Sequence, residues 1–287
     1  MSRRAHQLLV MEGNTAEMCA RQRSALGYDT GEGYRRILNR IDPQLHVDIV
    51  RPADGDSALP AGKTLTDYDG MAITGSALNI YQGGEAVDQQ LSFVRQVAET
   101  GLPLFGSCWG LQITATVAGG TVERNPKGRE FGYAQPIRLS ELGRAHPMYR
   151  HKPTLFRAPT IHLDTVTHLP MGAEVLATNH MGLQATAFTC INSPCWAVQY
   201  HPEYDPIDLA AVAMRYGNRL VEEGLYSSES SLRDFVDDLH RLQAEPDNSE
   251  VAQKYALDVS ITDQQIRFVE LTNWLTTLVK KSHSSHV

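Results

Sequence analysis

Apolar positions along this chain follow two alternating rhythms. Short continuous runs, fit for buried parallel strands, occur at His6 to Met11, Leu45 to Val50, Met71 to Thr74 and Leu102 to Phe105. Between them lie stripes at helical spacing: Ile37, Leu38 and Ile41 within Glu32 to Ile41; Val87, Leu91, Val94 and Ala98; and the small and apolar residues from Trp109 to Ala118. Asp42-Pro43 stops the first helix and Gly119-Gly120 the last. Arg51 to Thr66, rich in Pro, Gly, Asp and Ala, reads as a surface loop. Glu174 to Thr178 and Gly182 to Cys190 predict paired strands, Cys195 to Tyr200 a further strand, and Asp208 to Glu223 a helix. Strands alternating with helices in this way predict an α/β fold, an open and mostly parallel sheet flanked by helices. From about Ser227 the pattern becomes purely helical, with Leu232, Phe235, Val236, Leu239 and Leu242 on one stripe, a stop at Pro246, and a second stripe at Phe268, Leu271, Leu275 and Leu278. The division expected is an α/β unit over residues 1–226 and a helical extension over 227–287. The extension is expected to pack against the core or a second subunit, with a lid over a site as the alternative.

The sharpest local feature lies where the strand ending at Phe105 gives way to the helix starting at Trp109. Gly106 and Gly110 flank Cys108 at two residues on each side, the spacing of the Gly-x-Ser-x-Gly nucleophile elbow with cysteine in place of serine. Such a turn lifts the sulfur above the sheet and sets it at a helix N-terminus, where unpaired amides favour thiolate over thiol. A nucleophilic thiol needs a base, and the base needs an orienting group. His201 ends a β-branched and aromatic run, and Pro202 after it lacks an amide donor and holds His201 extended. In extended geometry Glu203 lies on the same side as His201 and can fix its ring.

Composition narrows the surroundings. With 287 residues and 42% hydrophobic content, the chain buries a full core as one large domain plus an appendage. A net charge of −7 without a basic block argues against nucleic acid or an anionic membrane as partner. Cys19, Cys108, Cys190 and Cys195 form neither a disulfide framework nor a zinc pattern, and Cys190 and Cys195 read as inert small hydrophobes around a turn. Arg3-Arg4 precede an apolar run too short for a signal peptide, and no run approaches a membrane span, so a reducing cytoplasm is the expected setting.

Three segments together resemble the class I (triad) glutamine amidotransferases: Gly106 to Gln112, Gln199 to Glu203, and Asp67 to Ser76. The resemblance covers roughly residues 6 to 225 and is closer to stand-alone GMP synthase-like members, including the opening Glu12 to Thr15 and the tail Leu271 to Leu275. It implies a flavodoxin-like fold and a catalytic set of Cys108, His201 and Glu203. It also implies an oxyanion hole from the amides of Gly75 or Ser76 and of Trp109. Gln112, one helical turn after Cys108, is implied to hold the amino-acid end of the substrate, and His162 and Asp164 to border it. His162 lacks the strand-end, proline and glutamate context of His201, and its alternative reading is a hydrogen-bonded loop histidine; Arg129 and Glu130 read as structural or loop-shaping.

The activity so implied is hydrolysis of the γ-amide of glutamine or a γ-glutamyl compound through a thioester, with no metal or organic cofactor. The expected partner is that small molecule. A separate synthetase subunit receiving ammonia, a homo-oligomer, and a catalytically silent binding protein on the same fold remain alternatives. The cysteine-elbow peptidase and chaperone group, which places histidine directly after the cysteine, fits less well because Trp109 stands there.

Overall fold

The computed structural model describes residues 5–280; Arg3, Arg4 and the segment after Lys280 lie outside it. The first half of the chain builds β1 (Gln7–Met11), α1 (Ala16–Leu26), α2 (Thr30–Ile41), β2 (His46–Val50), β3 (Gly70–Ile73), α3 (Glu85–Glu99), β4 (Leu104–Ser107) and α4 (Trp109–Val117). Then come β5 (Thr121–Arg124), β6 (Glu130–Tyr133), β7 (Ile137–Leu139), α5 (Glu141–Ala145), β8 (Leu155–Phe156), β9 (Pro159–His162) and β10 (Asp164–His168). The core closes with β11 (Glu174–Asn179), β12 (Gly182–Cys190), β13 (Ser193–Val198), α6 (Pro206–Tyr216), α7 (Asn218–Glu222) and α8 (Glu229–Ala244).

Nine strands share one sheet in the order β2-β1-β3-β4-β13-β12-β11-β7-β8. The pairings from β2 to β13 are parallel, and those from β13 to β8 antiparallel. Two small antiparallel pairs, β5 with β10 and β6 with β9, sit apart from it. Strand alternation sends successive side chains to opposite faces. Leu8 and Val10 join Tyr34, Ile37 and Leu38 of α2 on one face, while Leu9 and Met11 join Val94 and Val97 of α3 and Leu111 and Ile113 of α4 on the other.

Several boundaries differ from the sequence expectation. Helix α1 was not foreseen, because Cys19 is its only buried residue and its pattern carries almost no apolar stripe. Asp29 starts α2 two residues early by accepting from the amide of Glu32. The helix expected over Asp208 to Glu223 is broken at Gly217, whose φ of 40° and ψ of −117° leave helical space. Strand β13 ends at Val198, so Gln199 and Tyr200 lead to His201 as irregular chain. Among the described residues no helix is long and apolar enough to cross a membrane.

The C-terminal stripe is not peripheral. After the short helices α9 (Ser249–Lys254), α10 (Val259–Thr262) and α11 (Gln264–Arg267), Phe268, then Leu271 and Trp274 of α12 (Val269–Trp274), and Leu275 and Val279 of a π-helical turn at Leu275–Val279 belong to the same apolar cluster as Leu8, Phe105 and Val198. Trp274 is fully buried, with its ring centroid 5.9 Å from that of Phe105. A Cβ on Gly70 of β3 would stand 2.9 Å from Val279 and 3.0 Å from Trp274, so this segment lies directly on the sheet. Polar ties complete the attachment. Buried Lys152 donates to Glu270 and to the carbonyl of Ile266, while Tyr200 donates to Glu270 at 2.7 Å. Arg267 reaches Asp205 at 2.5 Å. Residues 200 and 205, which bracket His201 and Glu203, are thereby fastened to the C-terminal segment.

Candidate functional site

The parallel strands β1, β3 and β4 end together with β13 on one side of the sheet, and the connections leaving those ends converge, as expected for a ligand crevice in an open α/β sheet. Cys108 follows β4 with φ 52° and ψ −98°, a left-handed conformation that a cysteine adopts only when its surroundings impose it. The flanking glycines explain how the turn closes. A Cβ at position 106 would lie 2.4 Å from the carbonyl carbon of Gly110, and one at position 110 would lie 2.6 Å from the carbonyl oxygen of Ile73. The Cys108 thiol ends up buried, 3.4 Å from the carbonyl oxygen of Ile161.

His201 and Glu203 sit beside it. Glu203 does not reach His201 along an extended chain. The backbone turns at Pro202, with the Tyr204 amide bonding the His201 carbonyl at 3.2 Å, and this brings Glu203 Oε1 to 2.8 Å from His201 Nδ1. Both are almost wholly buried. Glu203 Oε2 accepts from Ser107 Oγ at 3.0 Å, and Ser107 Oγ lies 3.2 Å from Tyr34 OH. Since Ser107 gives its proton to the carboxylate, Tyr34 donates to Ser107. Burial pushes the His201 imidazole toward its neutral form, but the Glu203 charge and the interactions with Cys108 and Glu203 outweigh it and raise the pKa to about 10. Nε2, the nitrogen turned away from Glu203, has no hydrogen-bond partner of ordinary geometry, so the Cys108 contribution acts over a longer separation.

The ring of His201 is held on its faces as well. Tyr204 stacks on it at 4.1 Å between centroids and 14° between planes. A Cβ on Gly75 would stand 2.5 Å from Cε1 of His201, so only glycine permits this approach. The Gly75 loop is braced from β1. Glu12 accepts from the amides of Asn14 and Gly31 and from the Asn14 side chain, whose Nδ2 lies 3.4 Å from the Gly75 carbonyl. Asn14 Oδ1 accepts from the Ala77 amide. Among the described residues the amides of Gly75, Ser76 and Trp109 make no hydrogen bond outside the regular elements; Gly75 and Ser76 line the same pocket as Cys108, and Trp109 follows it in the chain.

The remaining sequence candidates fall around the same pocket, which is open to solvent and lined by Gly75, Ser76, Cys108, Gln112, His162, Asp164 and His201. His162 lies at the end of a strand rather than in a loop, and Glu130 holds its Nε2 at 3.0 Å while the Asp164 carbonyl takes Nδ1 at 3.2 Å. Asp164 accepts from Asn79 and Tyr81. Arg129 pairs with Glu223 at 2.7 Å, and Glu130 also takes the Gln135 amide, Asn179 and Gln184. Sequence reasoning missed Tyr34, Ser107 and Tyr204 as supports of the His201–Glu203 pair, and Arg215, Tyr216 and Arg219 as pocket walls. Ser107, inside the elbow motif, carried the one available signal.

Glu12, Cys19 and Asp29 bring donor atoms within 4.8 Å of one another, the spacing a metal ion would need. Their chemistry does not suit one. Asp29 is already paired with Arg23 and Arg51, and Glu12 is occupied by amide donors. Two guanidiniums beside the cluster replace the charge that a cation would bring.

Comparison with known proteins gives the chain's similarities. A family model described as glutamine amidotransferase class-I matches residues 32–211. A gamma-glutamyl-L-1-hydroxyisopropylamide hydrolase from a Pseudomonas species is 31% identical over 278 residues, which is 95% of this chain and 93% of that protein. A glutamine-hydrolyzing GMP synthase from Streptomyces avermitilis is 27% identical over 216 residues, 74% of this chain but 37% of that enzyme, so the chain spans little more than a third of its length. The crystal structure of a glutamine amidotransferase from Thermotoga maritima superposes with a TM-score of 0.67 at 16% identity, covering 96% of this chain and 99% of that one.

Proposed function

The chain belongs to the class I glutamine amidotransferase family, and from that premise we propose that it hydrolyses the γ-amide of glutamine or of a γ-glutamyl compound, with Cys108 as the nucleophile. The observation that carries the reading is the strained Cys108 turn set beside the buried His201–Glu203 pair. With His201 already holding the proton as the imidazolium, Cys108 attacks the γ-carbonyl carbon as the thiolate. The amides of Gly75 or Ser76 and of Trp109 receive the oxyanion; a single such donor is worth about 10²–10³ in rate. His201 returns the proton to the departing nitrogen, ammonia or an amine leaves, and the γ-glutamyl thioester forms. A water then gives its proton to His201, attacks the thioester, and releases glutamate and the thiol. Glu203 orients the ring throughout, Ser107 and Tyr34 orient Glu203, and Gln112, His162 and Asp164 border the glutamyl end. On this reading residues 1–226 carry the chemistry and the helices beyond them hold it in shape.

The test is acid quenching during turnover followed by mass analysis. The expected result is one γ-glutamyl group on the peptide containing Cys108, together with glutamate release. Hydrolysis without that adduct, undiminished in Cys108→Ala, would overturn the assignment. A second reading, a glutaminase delivering ammonia to a separate synthetase, is favoured by the match to one part of the much longer GMP synthase. It is distinguished by turnover confined to glutamine that rises when a synthetase is added.

The raised His201 pKa fixes the pH dependence. The imidazolium persists as pH rises past the 6.5 of a free histidine and is lost only near pH 10. The alkaline limb of kcat/KM is therefore expected near pH 10, moving toward neutrality in Glu203→Gln, where the carboxylate charge is gone. A pH–rate profile of both proteins measures it. A limb near pH 6.5 in the native enzyme would contradict the assignment.

A further inference from the structure

The loop that carries the Gly75 and Ser76 amides leaves β3, runs to α3, and is fastened at both ends. At the near end the Thr74 amide donates to the Met11 carbonyl at 3.1 Å, and Asn14 Oδ1 takes the Ala77 amide at 3.2 Å. At the far end Asn79 Nδ2 donates to Asp164 Oδ2 at 2.6 Å, and Tyr81 OH donates to Asp164 Oδ1 at 2.9 Å. Leu78 and Ile80, both half-buried, add apolar contact with the core beside α3 and α4. Among the described residues, no other side chain outside the loop takes a hydrogen bond from residues 78–82. The exit through Gly83 and Gly84, at φ of 62° and 99°, has open space beside both residues. Asp164 is the polar anchor of the loop's far half.

That anchor stands on regular structure. Asp164 is buried, opens β10, and pairs in register with Arg124 of β5. Its carbonyl takes His162 Nδ1 at 3.2 Å, and His162 Nε2 lies 3.0 Å from Glu130. One residue therefore joins two walls of the pocket: the His162 strand through its backbone, and the Gly75 loop through both carboxylate oxygens. Hydrogen bonds to an ionised, buried carboxylate are among the stronger ones in a protein. Asn79 lies four residues from Gly75 and three from Ser76, so a shift at the anchor reaches the oxyanion amides through a few backbone links.

Resting on the γ-amide hydrolysis proposed above, we infer that the Asp164 carboxylate is a latch for the oxyanion loop, and that Asn79 and Tyr81 are the positioning residues through which it acts. The latch works on the placement of two amides, not on Cys108 or His201. Its effect is confined to the steps that build negative charge on the γ-carbonyl oxygen: attack by the thiolate and, later, attack by water on the thioester. Alkylation of the same thiolate by iodoacetamide forms no oxyanion and does not depend on it.

The experiment measures kcat and KM on glutamine or γ-glutamyl-p-nitroanilide, whichever the native enzyme turns over faster, and in parallel the rate of Cys108 alkylation by iodoacetamide. The proteins compared are native enzyme, Tyr81→Phe, Asn79→Ala, Asp164→Ala, and Asp164→Ala combined with Tyr81→Phe. Tyr81 is 46% exposed, so Tyr81→Phe removes one hydroxyl without opening the core. Each loop variant is expected to lose about tenfold in kcat, as for one hydrogen bond to a charged group, with KM and the alkylation rate within about twofold of native. In the Asp164→Ala background Tyr81→Phe is expected to have no further effect, because its partner is already gone. If Asp164→Ala does not fold, the two loop variants decide by themselves. Native kcat in both loop variants would overturn the latch, and a raised KM in Asp164→Ala beside it would make Asp164 a contact of the substrate. Parallel losses of alkylation and turnover would also sink the latch, since the damage would then lie at the thiol. Either result leaves γ-amide hydrolysis standing. No glutamate release by the native enzyme from either substrate would overturn the hydrolase reading and the latch together.

Discussion

Gly75→Ala is expected to lower kcat/KM by at least about 10² while the protein stays folded, since a misplacement of about 1 Å at a reacting group costs that much. The new methyl would stand 2.5 Å from Cε1 of His201, closer than carbon atoms approach without displacement. The ring has nowhere to retreat: Tyr204 stacks on it at 4.1 Å and Glu203 holds Nδ1 at 2.8 Å. Either the imidazole leaves its place beside Cys108 or the Gly75 loop withdraws its amide, and each outcome removes a participant in the reaction. Steady-state kinetics with an unfolding curve make the measurement. Stability close to native, with retained alkylation of Cys108 by iodoacetamide and collapsed turnover, is the expected combination. Unchanged turnover would show that the loop accommodates the methyl and that the close approach has no catalytic meaning.

Lys152→Met is expected to be the most destabilising single change in this set, by about 3–5 kcal/mol, because it leaves a buried carboxylate without its counter-charge. Lys152 and Glu270 are 1% and 0% exposed in their side chains. Burial pushes the ammonium toward its neutral form, and Glu270 partly offsets that push. Remove the ammonium and Glu270 keeps only the hydroxyl of Tyr200 among these partners. At about 2–4 °C per kcal/mol for domains of somewhat smaller size, Tm is expected to fall by about 10 °C. Lys152→Met combined with Glu270→Leu should recover at least half of the loss, since the remaining hydroxyls of Tyr200 and Tyr149 bond each other at 2.8 Å. Thermal or urea unfolding of the single and double variants gives the comparison, and equal stability of the two would argue against charge isolation as the cause.

What the sequence revealed of the site follows from how residue-specific each constraint is. The turn at Cys108 was legible because positions 106 and 110 admit no side chain at all, so glycine at that spacing is a direct imprint of close backbone approach. The parallel strands were legible because continuous apolar runs have few other uses. The pairing of His201 with Glu203 was foreseen, but its geometry was not: Pro202 and the Tyr204 amide make a turn that proximity in sequence cannot distinguish from an extended strand. Tyr34, 73 positions from Ser107, and Arg215, on a segment read only as a helix, carry no local sign of where they lie. The same limit hid α1, whose side chains are mostly solvated, and the break at Gly217, across which the apolar spacing runs on.

The fastening of Tyr200 and Asp205 to Glu270 and Arg267 also orders events during synthesis. Those contacts link positions 70 and 62 residues apart, and the Lys152–Glu270 pair spans 118. Contacts of such separation form late and slowly compared with local ones. The elbow and the parallel strands are translated long before the residues that lock the histidine turn, so a nascent chain carries its thiol for some time with an incompletely anchored partner. Activity should therefore emerge only after residues 267–279 have cleared the ribosome, and in refolding it should trail the recovery of secondary structure.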